Sequence, residues 1–293
     1  MFIHQKVQYW WQLYRFGFLT NLYIKHIIKY IENIRSNLLE RFFNNNHVII
    51  KNARKLGGNM KKVGIIGAME LEVTTLRSLM NIEKTVKKAS LTFYEGKLED
   101  KEIVLVQCGI GKVNSALCAQ ILISEFDVNA IVNTGVAGAI HSSLDVNDIV
   151  ISTEAIQYDV DARAFGYKKG QIPQMDNSIF IADERLVNAA YESSLAQVKG
   201  KEFKIVKGRV ATGDIFISSK ELKEELENDF NAYCGEMEGA AIAHACYLNN
   251  IPFVIIRAMS DKADGSANVT YDEFVIEAAE NSKDIVLKML KAL

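Results

Sequence analysis

Short apolar runs recur along most of the chain, and glycine or polar residues bound them. Runs of this length and composition predict β-strands, and those that are apolar throughout predict strands buried on both faces. The predicted strands are residues 63–68, 91–98, 102–107, 130–134, 149–153, 203–211 and 252–259. The second and third of them predict a hairpin that turns at residues 99–101.

Between these runs, apolar residues are spaced as on one face of a helix. The predicted helices are residues 70–79, 112–126, 183–197, 238–248 and 271–290. Strands that alternate with helices predict the α/β class, with layers of helices around a mainly parallel or mixed sheet. No repeat, low-complexity tract or linker divides residues 60–293, so we predict a single domain there.

Composition narrows the function classes. The chain has 293 residues, 49% of them hydrophobic, which is enough for a large core. A net charge of −2 gives no general attraction to nucleic acid. The four cysteines lack metal-ligand spacing, which predicts reduced thiols in a cytoplasmic protein without a metal site. No apolar run reaches the roughly 18 residues of a membrane span. We expect no organic cofactor.

Residues 1–59 have a different composition, aromatic and basic, with Glu32 and Glu40 as their only acids. One interpretation is a basic amphipathic helix on a membrane surface. A second is that AT-rich non-coding DNA was translated, because Gly57 and Gly58 codons can spell a ribosome-binding sequence shortly before Met60. Our hypothesis is that residues 1–59 are an N-terminal extension from an over-extended gene start. A chain that begins at Met60 should then fold.

Acidic residues follow several of the predicted strands. Glu70 and Glu72 come after the first strand, Glu236 and Glu238 precede a helix, and Asp261 ends a buried run. Buried charges are costly unless they are paired, hydrogen-bonded or used in chemistry. Ligands of open α/β sheets bind at strand ends. The pattern therefore predicts acid–base chemistry on a small polar molecule.

Each acid also has a structural interpretation. Glu236 and Glu238 flank a predicted helix start, where the helix dipole favours anions, and capping alone explains Glu236. Arg257 lies in an apolar run and needs an anionic partner, for which Glu238 is expected. Asp261 is placed to cap the turn that follows it.

Seven motifs occur in the order found in the 5′-methylthioadenosine/S-adenosylhomocysteine nucleosidases, and the chain resembles this family from Met60 to its C-terminus. The motifs are VGIIGAMELE (63–72), GIGKV (109–113), NTGVAG (133–138), AFGY (164–167), GDIFI (213–217), EMEGAAIAH (236–244) and RAMSD (257–261). The resemblance implies a nucleoside-phosphorylase-like fold, an α/β/α three-layer sandwich around a central mixed sheet. It also implies a hydrolase that cleaves the N-glycosidic bond of adenine thionucleosides.

The resemblance assigns the catalytic roles. Asp261, held by Ser260, is implied to be the general acid that protonates adenine N7. Glu72 is implied to orient or deprotonate the attacking water. The chemistry fits these roles, because adenine leaves poorly as an anion and an acid must protonate it as the bond breaks.

The resemblance also implies the substrate contacts. Glu238, with Arg257 and the Met237 backbone in support, would hold the ribose hydroxyls. The other implied contacts are Met69, Ile110, Val136, Ala137 and Gly138 for ribose and base, Phe216 and Ile217 for adenine, and Tyr271 for the thioalkyl group. The family forms homodimers, which implies that a second copy contributes the region of Phe165 and Pro173 to the pocket.

Two departures from the family pattern bear on substrate preference: Val136 stands where Ser or Thr is common, and Tyr271 where Phe is usual. Three alternatives remain open. A phosphorylase of the same fold would need a basic phosphate pocket near the first strand, where Glu70 and Glu72 stand instead. A nucleosidase acting on futalosine and a non-catalytic nucleoside-binding module are the other two.

Overall fold

Strands and helices alternate along the part of the chain that the computed structural model describes, which is residues 60–195, 203–264 and 267–293. The interpretation of residues 1–59 as an extension lies outside the described residues. The strands are β1 (Lys62–Gly67), β2 (Asn81–Lys88), β3 (Leu91–Leu98), β4 (Lys101–Gln107), β5 (Ala130–Ala139), β6 (Ile149–Gln157), β7 (Ile179–Ile181), β8 (Ile205–Thr212), β9 (Ala232–Glu236) and β10 (Phe253–Asp261). The helices are α1 (Glu70–Leu79), α2 (Lys112–Glu125), α3 (Glu184–Ser194), α4 (Lys220–Phe230), α5 (Gly239–Asn249) and α6 (Ala267–Ala292), with a 3₁₀ turn at Arg163–Phe165.

One mixed sheet joins these strands. Its first half runs β2-β3-β4-β1-β5, with antiparallel pairing up to β4 and parallel pairing from β4 through β1 to β5. Strand β5 then pairs with both β10 and β9, and β6 and β8 connect those two strands. Five strands thus close into a small barrel at one end of the sheet, which the sequence analysis did not predict. The predicted mixed sheet and α/β class are confirmed.

Helices cover the sheet in two groups. Helices α1 and α3 both pack against α6, and α6 lies along β5 and β10. Helices α2 and α5 pack against each other and against other strands of the sheet. Strands β5 and β10 are buried along their whole length, and β1 is buried from Val63 onward. The continuous apolar runs in the sequence thus correspond to the centre of the sheet.

Four elements were missed by the sequence analysis. They are β2, β7, β9 and α4. Strand β2 is almost entirely exposed at the edge of the sheet, so its residues carry no burial pattern. Strands β5 and β10 extend past their predicted ends, at residues 134 and 259, to Ala139 and Asp261.

The helix predicted over residues 238–248 is present within one residue of its predicted bounds, but a strand that was not predicted ends directly before it. Glu236 is the last residue of β9, and helix α5 begins at Gly239 with Glu238 as its N-cap residue. The acidic pair therefore spans a strand-to-helix turn. Capping by Glu236 nonetheless occurs, because its Oε2 accepts hydrogen bonds from the N–H groups of Glu238 (3.1 Å) and Gly239 (2.7 Å).

Within the described residues, no helix combines the length and the apolar character that crossing a membrane requires.

Candidate active site

Strand directions bring the predicted acids to one edge of the sheet. Strands β1, β5 and β10 are parallel neighbours, so their carboxyl ends lie side by side. The pairing of β10 with β5 shifts between Met259 and Asp261, which leaves Ser260 as an extra residue in the strand. Bulges of this kind re-aim side chains next to functional sites. Here the bulge places Asp261 opposite Gly138.

A cavity of about 250 Å³ opens at this edge. Most residues predicted to bind the substrate line it. They are Met69, Glu72, Ile110, Val136, Ala137, Gly138, Phe216, Met237, Glu238, Ser260, Asp261 and Tyr271. The wall also includes Ala68, Gly235 and Glu236, which the sequence analysis did not assign to the pocket. Ala68 and Glu236 lie within motifs of the resemblance and Gly235 directly precedes one, and these positions were the signal available for them.

Asp261 is a buried carboxyl with a fixed orientation. Its Oδ1 accepts a hydrogen bond from the Ala263 N–H at 2.7 Å, and Ser260 Oγ donates to Oδ2 at 2.9 Å. Burial raises the pKa of Asp261, although these two hydrogen bonds oppose the rise. The carboxyl therefore keeps its proton to a higher pH than an exposed aspartate, as a general acid requires.

Glu72 lies in the first turn of α1, and its carboxylate folds back over the helix start. Its Oε2 accepts from the N–H groups of Ala68 (2.6 Å) and Met69 (2.9 Å), while Oε1 accepts from the Val136 N–H (3.1 Å). Burial raises the pKa of Glu72, and Arg257 and the backbone donors oppose that rise. The position is rigid and faces the cavity.

Arg257 is almost fully buried beneath the cavity and lies among three carboxylates. Its Nη2 donates to Glu236 Oε2 and lies 3.4 Å from Glu238 Oε2, while Nη1 is 4.0 Å from Glu72 Oε1. Asn133 Oδ1 accepts a further hydrogen bond from Nη2 at 2.7 Å. Arg257 pairs with Glu238 as expected, through a hydrogen bond from Nη2 at 3.4 Å, and it also pairs with Glu236, a closer partner that the sequence analysis did not assign to it. Strand β9 ends at Glu236, which places that carboxylate beside β10.

Glu238 faces the cavity with only part of its charge compensated. Its Oε1 accepts a hydrogen bond from the Gly111 N–H at 2.9 Å. Burial raises the pKa of Glu238 to about 7, against the attraction of Arg257 and with a further contribution from the Glu236 charge. This carboxylate can accept hydrogen bonds from a bound polar molecule.

The opposite side of the cavity is apolar. The Phe216 and Tyr271 rings meet edge to face, with 6.0 Å between their centroids. Tyr271 directs its hydroxyl to Met69 Sδ at 3.2 Å, so the hydroxyl is occupied within the wall. Asp214 fixes the loop that carries Phe216, because its Oδ1 accepts from the Lys112 N–H at 2.8 Å. An aromatic base and a thioether suit such a surface.

Four predicted site residues do not line the cavity. Arg257 lies beneath it, and Ile217 is buried with its side chain close to Gly235. Phe165 is 85% exposed in the 3₁₀ turn, and Pro173 is exposed in the loop that follows. The contribution of these two residues to the pocket of a second copy stays a prediction.

Among the described residues, no cluster of His, Cys, Asp and Glu has an arrangement that could hold a metal ion. The chemical groups at the site are three glutamates, one aspartic acid with a raised pKa and one buried guanidinium. This set can protonate a leaving group, bind hydroxyls and activate water.

The fold and the site define a member of the phosphorylase superfamily, whose family model matches residues 62–291. The 5′-methylthioadenosine/S-adenosylhomocysteine nucleosidase of Staphylococcus carnosus (strain TM300) is 44% identical over 232 residues, which cover 79% of this chain and 100% of the relative. The chain belongs to this nucleosidase family.

Solved structures agree with this assignment. The nucleosidase from Neisseria meningitidis, crystallised in complex with methylthio-immucillin-A, has a TM-score of 0.75 and 42% identity. The match covers 80% of this chain and 100% of that one. A futalosine hydrolase of Helicobacter pylori is also similar, at 34% identity and a TM-score of 0.74, over 80% of this chain and 99% of that one.

Proposed function

We propose that this protein hydrolyses the N-glycosidic bond of 5′-methylthioadenosine and S-adenosylhomocysteine, releasing adenine and the thioribose product. The observation that carries the proposal is the presence in one cavity of Asp261, a buried acid with a raised pKa, together with Glu72 and Glu238. The names of the relatives support the same substrates.

In the proposed reaction, Asp261 donates its proton to adenine N7 as the bond between N9 and C1′ breaks. The ribosyl group then develops positive charge at C1′ and the ring oxygen, as in glycoside hydrolysis. Water attacks C1′, and its proton passes to Glu72. Glu238 accepts hydrogen bonds from the ribose hydroxyls, and its negative charge stabilises the developing cation. Each acid or base contributes roughly 10²–10⁴-fold to the rate.

The apolar side of the cavity receives the rest of the substrate. Adenine lies against Phe216, and the 5′ thioalkyl group contacts Met69 and Tyr271. We also propose that the protein acts as a homodimer, because Phe165, which the family resemblance assigns to the pocket of a second copy, is a large apolar side chain that is 85% exposed. The cysteines of the described part are buried and unpaired, which suits the cytoplasm, our proposed location.

The decisive test is product analysis with purified protein and 5′-methylthioadenosine, with and without phosphate. Free adenine and free methylthioribose in both samples is the expected result. If a sugar phosphate forms when phosphate is present, the protein is a phosphorylase, and Glu72 then has no role in activating water. No adenine from folded protein would favour a non-catalytic binding module.

A second candidate substrate is futalosine, because the Helicobacter pylori neighbour carries the name futalosine hydrolase. The same assay with futalosine in competition with 5′-methylthioadenosine ranks the two. A kcat/KM for futalosine above that for 5′-methylthioadenosine would reassign the preferred substrate while keeping the chemistry.

A further inference from the structure

Glu236 is a buried carboxylate at the cavity with no role in the reaction proposed above. It is 6% exposed, and hydrogen-bond donors surround it. Thr212 Oγ1 donates to its Oε1, while Oε2 accepts from Arg257 and from the N–H groups of Glu238 and Gly239. A carboxylate with this many donors is held in one orientation.

These contacts place two carboxylates in competition for one guanidinium. Arg257 Nη2 donates to Glu236 and also, over the longer distance of 3.4 Å, to Glu238. In a buried site, a fully paired Glu238 would present little charge to a bound molecule. Because Glu236 accepts the shorter hydrogen bond from Nη2, Arg257 neutralises the charge of Glu238 only in part, and the remaining negative charge is directed toward the cavity.

We propose that Glu236 is a positioning residue that engages Arg257 and fixes the turn before α5, and so keeps the charge of Glu238 available to the ribosyl cation. This inference rests on the proposed function and deepens it. Glu236 itself touches neither the reacting atoms nor the ribose in this assignment. It acts through Arg257 and through the backbone of Glu238.

The effect of Glu236 on the pH dependence of the reaction depends on the other titratable and charged groups around it. The titratable and charged groups that face Glu236 and Glu238 are Arg257 on β10, Glu72 on α1, Cys108 after β4, Tyr158 after β6, Cys234 on β9 and Tyr271 on α6. Burial raises the pKa of both cysteines and both tyrosines, so these groups stay neutral near pH 7. Around Glu236 and Glu238, the charged groups are therefore the three glutamates and Arg257, and Asp261 lies across the same cavity.

The test replaces Glu236 with glutamine and measures adenine release from 5′-methylthioadenosine as a function of pH. Glutamine keeps the size of the side chain, and its carbonyl oxygen can still accept from the α5 turn. With the charge of Glu236 removed, Glu238 is no longer repelled by it and is still attracted by Arg257, so Glu238 ionises at lower pH. We expect the acid limb of kcat/KM to move down by about one pH unit. We expect kcat on the plateau to fall on the order of tenfold.

The matched control is Thr212→Val, which removes a hydrogen bond to Glu236 and leaves every charge in place. Thr212 Oγ1 also accepts from the Ala240 N–H at 2.8 Å, so this variant disturbs the same turn. We expect Thr212→Val to lower kcat without moving the acid limb. An equal shift of the acid limb in Glu236→Gln and Thr212→Val would show that the geometry of the turn before α5, and not the charge of Glu236, determines the position of that limb. This result would overturn the proposal.

The remaining outcomes are also decisive. A folded, active Glu236→Gln enzyme with an unmoved acid limb overturns the inference alone. If Glu236→Gln fails to fold, the test uses Glu236→Asp, which retains the charge on a shorter side chain. This variant must keep the acid limb of the wild-type kcat/KM profile. A shifted acid limb would refute the positioning role of Glu236. Absence of adenine from the wild-type enzyme overturns the proposed function, and this inference falls with it.

Discussion

The change Asp261→Asn is the sharpest test of the proposed mechanism. Asparagine has nearly the same shape, and its carbonyl oxygen can keep the bond from the Ala263 N–H that now reaches Oδ1 at 2.7 Å. Its amide would face Ser260 Oγ, which can turn its hydrogen toward the Ala137 carbonyl oxygen, 3.4 Å away. The substitution therefore removes the transferable proton and leaves the cavity walls in place.

The expected loss follows from that single change. General acid catalysis contributes roughly 10²–10⁴-fold. The same factor equals about 2.7–5.5 kcal/mol of activation free energy. Because the pocket contacts survive, substrate affinity should stay within a few-fold of wild type. We expect nearly the whole effect in kcat and very little in KM.

The assay is adenine release over a pH series, and the KM for 5′-methylthioadenosine is measured at each pH to follow substrate affinity. In the wild type, activity should fall as the pH rises through the folded-state pKa of Asp261, because the deprotonated form cannot donate. The asparagine variant should lose this alkaline limb. Turnover within a few-fold of wild type, with the limb intact, would refute the assignment of Asp261 as the acid.

Stability provides an independent check on the same residue. The pKa of Asp261 is raised in the folded state, so the folded chain binds this proton more tightly than the unfolded chain does. The stability from this group is full below the unfolded-state pKa and is lost as the pH rises through the folded pKa. Asparagine does not titrate. The Asp261→Asn protein should therefore gain melting temperature relative to wild type as the pH rises, and a gain largest at low pH would contradict the burial argument.

Three further predictions concern the surrounding residues. Glu72→Gln should lower kcat by roughly 10²–10⁴-fold in the adenine-release assay, because the amide cannot accept the proton of water; unchanged turnover would remove its role as base. Gly135→Ala should lower both melting temperature and kcat/KM, because a Cβ there would overlap the Glu72 carboxylate and the Arg257 guanidinium; wild-type values in both measurements would contradict the packing. Asp214→Ala should raise KM about fivefold with little change in kcat, the effect of one lost hydrogen bond on the loop that carries Phe216; a loss confined to kcat would contradict the loop assignment.

The elements that the sequence predicted well are those with a burial pattern. Strands β1, β5 and β10 lie in the middle of the sheet, so their sequences are continuous apolar runs. Strand β2 lies at the edge of the sheet beside β3, and Val86 is its one partly buried residue. No side-chain pattern marks such a strand. The closure of the barrel was equally hidden, because it depends on β10 pairing with both β5 and β6, which are distant in sequence.

In the site, too, some features could be predicted from the sequence and others could not. Motif matches and strand ends were sufficient to identify Glu72, Glu238 and Asp261 as cavity residues. They did not show that Glu236 is the closer partner of Arg257, since Glu236 and Glu238 are two positions apart and both adjoin small or apolar residues. The closer partner of Arg257 depends on where β9 ends, and a strand of five residues is too short to predict from this sequence.

The cavity contains more acidic groups than its one cation can neutralise. Glu72, Glu236, Glu238 and Asp261 are all buried, and within this set Arg257 is the one cation. Burying carboxylates without full compensation destabilises a fold, so an arrangement selected for stability alone would replace some of them with apolar residues. Their retention is explained if the deficit of positive charge is filled during the reaction, when the ribosyl group becomes cationic. The unbalanced site is then complementary to the transition state and not to the neutral substrate.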